Sequence, residues 1–207
     1  MYLSRIFIDT KKYESMKVLY NMEKLHGMVE CSFSGEQRRN LWRLDKLASG
    51  DCLLLLSSIP PANNHLPEQI GFNNSSWETK SYDILLSRIT NGSKWHFRLT
   101  ANPTMSVFKD IKTRGKVKAI TITAKQREWL KKQAEKRGFL LQENQYDVIQ
   151  SEWRSFKKGN RENKILAVTF EGILTVTDPE LFVQTLTTGI GREKAYGMGL
   201  LTIIPNV

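Results

Sequence analysis

The 207-residue chain is short of cysteine, histidine and acid, and each shortage excludes something. Its two cysteines, Cys31 and Cys52, are too few for a disulfide framework and too far apart for a Cys-x-x-Cys metal site. They are expected to be reduced and structural. No apolar run approaches the roughly 20 residues that cross a bilayer, and Tyr2–Ile8 alternates like a strand instead of offering a basic and then apolar leader. The expectation is a cytoplasmic protein with no membrane partner. Asp and Glu total 21 against 31 Lys and Arg, so the formal net charge is +10. No carboxylate cluster suggests two-metal nuclease chemistry, and no metal or small-molecule cofactor is expected. A basic excess of this size is the electrostatic footprint of a partner rich in phosphate, or else a solvated surface.

The patterning that is present predicts an α+β chain. Strand Tyr2–Ile8 is followed by apolar residues at spacings of three and four (Met16, Leu19, Leu25, Met28, Val29), which predict one amphipathic helix from Glu14 to Glu30. Arg39–Leu47 and Cys52–Ser58 read as strands around the turn Ser49-Gly50-Asp51. Ile59–Trp77, rich in Pro, Asn and Ser, reads as a loop. A short element at Tyr82–Ser87 and the strand Lys94–Ala101 close the first half. In the second half, Thr123-Ala124-Lys125-Gln126 has the form of a capping box. Gly138 ends that helix, and strands follow at Phe139–Gln145, Tyr146–Phe156 and Ile165–Val176. Asp178-Pro179 opens a helix as cap and first-turn proline, and Leu200–Ile204 is the last strand. Both halves approximate β-α-β-β-α-β, which predicts tandem ferredoxin-like domains over 1–101 and 102–207.

Few residues suit catalysis. Of three histidines, His65 sits in the loop and His96 alternates with core positions, which leaves His26 near the end of the first helix. An imidazole titrates near neutral pH, with an unperturbed pKa of about 6.5, and cleavage of RNA through its own 2′-hydroxyl needs only proton transfers and charge stabilisation. A lone helical histidine is also an ordinary structural residue. Glu23 and Glu30 share its face and either can orient the ring or simply stay solvated. Tyr20 is displaced about 120° around a regular helix and reaches the site only if that helix bends.

The binding candidates are basic clusters. Lys109, Lys112, Arg114, Lys116 and Lys118 crowd one poorly periodic segment, and Arg154, Lys157, Lys158 and Arg161 surround a turn. A phosphate-tracking groove suits both, as does a solvated face. Such a groove would fit A-form RNA, which is read mostly through shape and backbone. Gly189 to Gly199 holds four glycines together with Arg192 and Lys194. It fails as a dinucleotide fingerprint because it follows a helix and has Lys194 where a glycine is required. Either a helix-to-strand loop or a close approach to phosphate accounts for it.

Four stretches in order resemble the CasE family of CRISPR-associated proteins. They are Met1-Tyr2-Leu3-Ser4-Arg5; Leu25-His26-Gly27-Met28-Val29-Glu30 with Ser32-Phe33 and Arg39-Asn40-Leu41-Trp42-Arg43-Leu44-Asp45; Phe97-Arg98-Leu99-Thr100-Ala101-Asn102-Pro103; and Phe170-Glu171-Gly172-Ile173-Leu174 through Gly197-Met198-Gly199-Leu200-Leu201. The resemblance implies tandem ferredoxin-like domains and a metal-independent endoribonuclease that cuts CRISPR precursor RNA beside the repeat hairpin. It implies products with a 2′,3′-cyclic phosphate and a 5′-hydroxyl, and retention of the mature RNA with other Cascade subunits. His26 falls on the family's catalytic histidine; where some members have tyrosine three residues earlier, this chain has Glu23. Arg98 and the basic segment after Pro103 match the region that grips the RNA stem. The alternative function is a hairpin-binding subunit without catalysis.

Overall fold

The computed structural model describes residues 1–34, 40–107, 115–158 and 161–206, the side chains at 157, 158 and 161 apart. In chain order the elements are β1 (Tyr2–Phe7), α1 (Tyr13–Leu19), α2 (Met22–Glu30), β2 (Leu41–Leu47), β3 (Gly50–Ser57), α3 (His65–Ile70), β4 (Glu78–Ser81) and α4 (Asp83–Leu86), then β5 (Lys94–Ala101), β6 (Thr104–Val107), β7 (Lys116–Ala119), α5 (Thr123–Glu135), β8 (Phe139–Lys158), β9 (Arg161–Val176), α6 (Pro179–Thr188), the 3-10 turn Lys194–Tyr196 and β10 (Leu201–Pro205). Two antiparallel four-stranded sheets result, ordered β2-β3-β1-β4 and β10-β5-β9-β8. Numbered within its own unit, each sheet reads fourth, first, third, second. That is the ferredoxin-like arrangement of a β-α-β-β-α-β unit.

Several expectations are corrected. Strand β5 does not close the first sheet; it pairs with β9 and β10 in the second. The first sheet is closed by β4, whose four residues are all exposed and carry no apolar alternation. The helix expected over Glu14–Glu30 is two helices, because Asn21 leaves helical geometry (φ −117°, ψ 89°) and its side chain accepts from the Lys24 amide. Asparagine competes with the helix in this way and favours caps. The capping box does not form either: α5 has no side-chain cap, and Gln126 turns inward to donate to the Ile120 carbonyl at 2.8 Å. By contrast, Asp178 caps α6 through the Leu181 amide at 3.0 Å, with Pro179 in the first turn as expected.

The two expected strands at Phe139–Gln145 and Tyr146–Phe156 form one long β8, interrupted by register shifts between Leu141 and Tyr146 and between Val148 and Gln150. One core lies between the second sheet and its helices, around Phe139, Phe170, Phe182 and Leu130. The other packs Val18, Met22, Leu25 and Val29 of α1 and α2 on the first sheet and takes in Phe156, Ile165, Tyr196 and Met198 from the second unit. That shared cluster fixes α2 beside the far end of the β8–β9 hairpin. A polar bond joins the units as well. The buried Arg43 of β2 forms a bidentate pair with Asp45, at 2.7 and 2.8 Å, and donates to the carbonyls of Arg98 and Leu200 and to Thr202, each at 2.8 Å. Among the described residues no helix is long and apolar enough to cross a membrane.

Candidate catalytic and RNA-binding surface

On α2, Met22, Leu25 and Val29 face the core, which sets His26 at the margin of the buried stripe with 34% of its side chain exposed. Its Nδ1 is buried and has no hydrogen-bond partner among the described residues. Glu30 Oε1 lies 4.0 Å from that nitrogen, one turn further along the helix. Across from α2, the Tyr196 ring sits with its centroid 6.2 Å from the imidazole at a tilt of 59°. Tyr196 in turn packs on Phe156 at 4.1 Å, the residue before Lys157 at the basic end of the hairpin. Histidine, tyrosine and phenylalanine thus form a run of neighbouring rings from α2 to Phe156 near the end of β8.

The 3-10 turn that carries Tyr196 is bounded by two left-handed residues, Glu193 (φ 59°) and Gly197 (φ 76°). A Cβ on Gly197 would lie 2.7 Å from Cζ3 of the buried Trp42. Glycine at this position lets the backbone touch that ring and enter the left-handed region without steric cost. Lys194 donates to the Thr188 carbonyl at 2.6 Å, at the C-terminal end of α6, where cations are favoured.

Of the other candidates, Tyr20, Arg98 and Arg154 line one cleft, and the rest are dispersed. Glu23 is exposed, and no hydrogen bond or ion pair joins it to His26 among the described residues. Tyr20 ends α1 ahead of the break, is 79% exposed, and lines a cleft of about 550 Å³ between the units with Ile149, Trp153 and Arg154. Arg154 is paired with Glu152 at 2.8 Å. Arg98 is held by Glu171 and lies 3.8 Å from Asp45. Lys116 and Arg192 are exposed on β7 and on the loop after α6. The backbones of Lys157, Lys158 and Arg161 are paired in β8 and β9, Lys158 opposite Arg161; their side chains, and all of Lys109, Lys112 and Arg114, lie outside the described residues. Sequence reasoning missed Tyr196 and Phe156, whose contact is tertiary. It also missed the Arg43–Asp45 pair, for which two opposite charges on one face of an apolar strand were a usable signal.

The family model described as CRISPR associated protein matches residues 1–205. The chain belongs to this family. Among curated relatives, the CRISPR-associated endoribonuclease Cse3 of Thermus thermophilus is 38% identical over 124 residues, covering 55% of this chain and 57% of the relative. The Cascade subunit CasE of Escherichia coli is 30% identical over 121 residues, covering 55% and 59%. The matched stretch spans less than two thirds of the length of either. Two solved structures are similar over 99% of this chain and 100% of theirs, each at 25% identity: Cse3 bound to a 19-nucleotide RNA, with a TM-score of 0.82, and Cas6e of E. coli, with 0.65. Both comparisons are with CasE-type proteins, so the resemblance read from the four sequence stretches holds for the family and for the tandem fold.

Proposed function

We propose that this CRISPR-associated chain is a metal-independent endoribonuclease that cuts CRISPR precursor RNA next to the repeat hairpin and keeps the mature RNA within a Cascade assembly in the cytoplasm. The observation that carries the proposal is His26: an accessible imidazole held, through Tyr196 and Phe156, beside the basic end of a long hairpin. The RNA stem lies along that turn (Arg154, Lys157, Lys158 and Arg161), with Lys109, Lys112, Arg114 and Lys116 and the loop residues Arg192 and Lys194 adding charge. Arg98, on the cleft that Tyr20 and Arg154 also line, adds a contact to the stem. In the reaction the 2′-oxygen bonds to the adjacent phosphorus as its proton leaves. The bond from phosphorus to the 5′-oxygen breaks, and that oxygen takes up a proton. His26 serves one of these two transfers, as base or as acid. The products are a 2′,3′-cyclic phosphate and a 5′-hydroxyl.

The test is incubation of the protein with repeat RNA in EDTA, followed by mapping of both product ends. One cut beside the hairpin with these ends is expected, and a substrate with 2′-deoxyribose at the scissile nucleotide stays whole. Cleavage of the deoxy substrate, or a 5′-phosphate on the downstream product, refutes the mechanism. Salt-sensitive hairpin binding without any cut leaves only the binding-subunit reading.

A further inference from the structure

His26 has two ring nitrogens, and the fold treats them differently. Nδ1 is buried with no hydrogen-bond partner among the described residues, so the exposed part of the side chain excludes it. The carboxylate within 4.0 Å of it belongs to Glu30, and no other described residue forms an ion pair or side-chain hydrogen bond with that carboxylate. Glu30 is only 21% exposed, so the group is held against the protein. Helix geometry separates it from Glu23, since side chains lean toward the N-terminus of their helix. Glu30, four residues after His26, leans back over the ring, and Glu23 leans away from it. A hydrogen bond needs about 2.7–3.2 Å, and a side-chain adjustment of about 1 Å closes the gap.

We propose that Glu30 is the positioning residue of this site. Its carboxylate accepts the Nδ1 proton of His26, holds the imidazole in the tautomer whose Nε2 lone pair is free, and makes Nε2 the atom that exchanges a proton with the RNA. This inference rests on the nuclease reading and deepens it. Which nitrogen is protonated is set by the hydrogen bond the other one makes, and an orienting carboxylate behind a catalytic imidazole is the logic of the Ser-His-Asp triad.

The test uses the full chain labelled with ¹⁵N-histidine. Long-range proton–nitrogen NMR reads the tautomer of His26, its signal assigned by loss in His26→Ala, in wild type and in Glu30→Ala. Single-turnover cleavage and hairpin affinity are measured alongside. In wild type the proton resides on Nδ1. In Glu30→Ala it moves to Nε2, cleavage slows at least about tenfold, the low end for loss of a group that orients a functional histidine, and hairpin affinity stays nearly unchanged. Glu30→Gln, which is near-isosteric and can still accept, lies between the two and controls for folding. The same tautomer in wild type and Glu30→Ala, or an unchanged cleavage rate in Glu30→Ala, overturns the proposal. If the wild type does not cut RNA at all, the nuclease reading fails, and the tautomer measurement still decides whether Glu30 holds the ring.

Discussion

Replacing Arg43 tests how the two units are held together. All five N–H donors of a guanidinium are used here: two to Asp45, two to the carbonyls of Arg98 and Leu200, and one to Thr202. Arg43→Met keeps apolar volume and removes the charge. The Asp45 carboxylate, 6% exposed, then keeps Arg98 at 3.8 Å as its one ion-pair partner among the described residues. Removing one partner of a buried ion pair costs about 3–5 kcal/mol. The residual Arg98 contact places this case near 3 kcal/mol, a shift of about 6–12 °C in Tm for a chain of this size. The double variant Arg43→Met with Asp45→Leu removes the stranded charge along with its cause, and its loss falls well below that of Arg43→Met alone. Thermal and urea unfolding followed by circular dichroism measure both. A loss below about 1 kcal/mol in Arg43→Met, or a double variant no more stable than Arg43→Met, refutes the claim that Arg43, held by Asp45, joins the sheets.

Other outcomes follow from single residues. Burial, reinforced by the neighbouring Asp45, raises the Cys52 thiol from its ordinary 9.0 to about 11. Between those values the unfolded chain loses the proton and the folded chain keeps it, so stability present below pH 9 falls as pH rises, by up to about 1.4 kcal/mol per unit. Comparison of wild type with Cys52→Ala in urea at pH 8 and 10.5 should show a steeper alkaline loss in wild type, and equal losses contradict it. A thiol reagent should label the exposed Cys31 and spare the buried Cys52 until unfolding. Gly197→Ala forces a left-handed alanine against Trp42 and should cost about 2–4 kcal/mol. Gly27→Ala, in α2 with open space around its Cβ position, should stabilise by about 0.5–1 kcal/mol; similar unfolding midpoints for the two would refute this reading of the glycines. Hairpin affinity should fall steeply with salt, and a log–log slope shallower than about −2 would mean that few phosphates are contacted.

What was legible in the sequence is what local physics determines. Asp178-Pro179 reads as a helix start because cap and proline act within one turn. The apolar residues of Lys94–Ala101 declare a strand, but not which sheet accepts it, since pairing is a long-range choice. Strand β4 is a fully exposed Glu-Thr-Lys-Ser edge that buries no apolar surface, and β6 and β7 alternate apolar and polar residues over only four positions each, too short a run to declare a strand. The periodicity of Glu14–Glu30 continued across Asn21 because both helices bury the same kind of face, which hid the break between Tyr20 and His26. At the site, histidine chemistry singled out His26. The contacts that place it, Tyr196 against Phe156 above all, join residues 40 positions apart in sequence and leave no local trace.

The central claim is that His26 transfers a proton to or from the scissile group. Single-turnover cleavage of repeat RNA by His26→Ala, with hairpin affinity measured on the same preparation, tests it most directly. The expected result is a rate at least about 100-fold lower, the smaller end of what a positioned acid or base contributes, with the hairpin still bound. Cleavage at the wild-type rate with binding intact would contradict it.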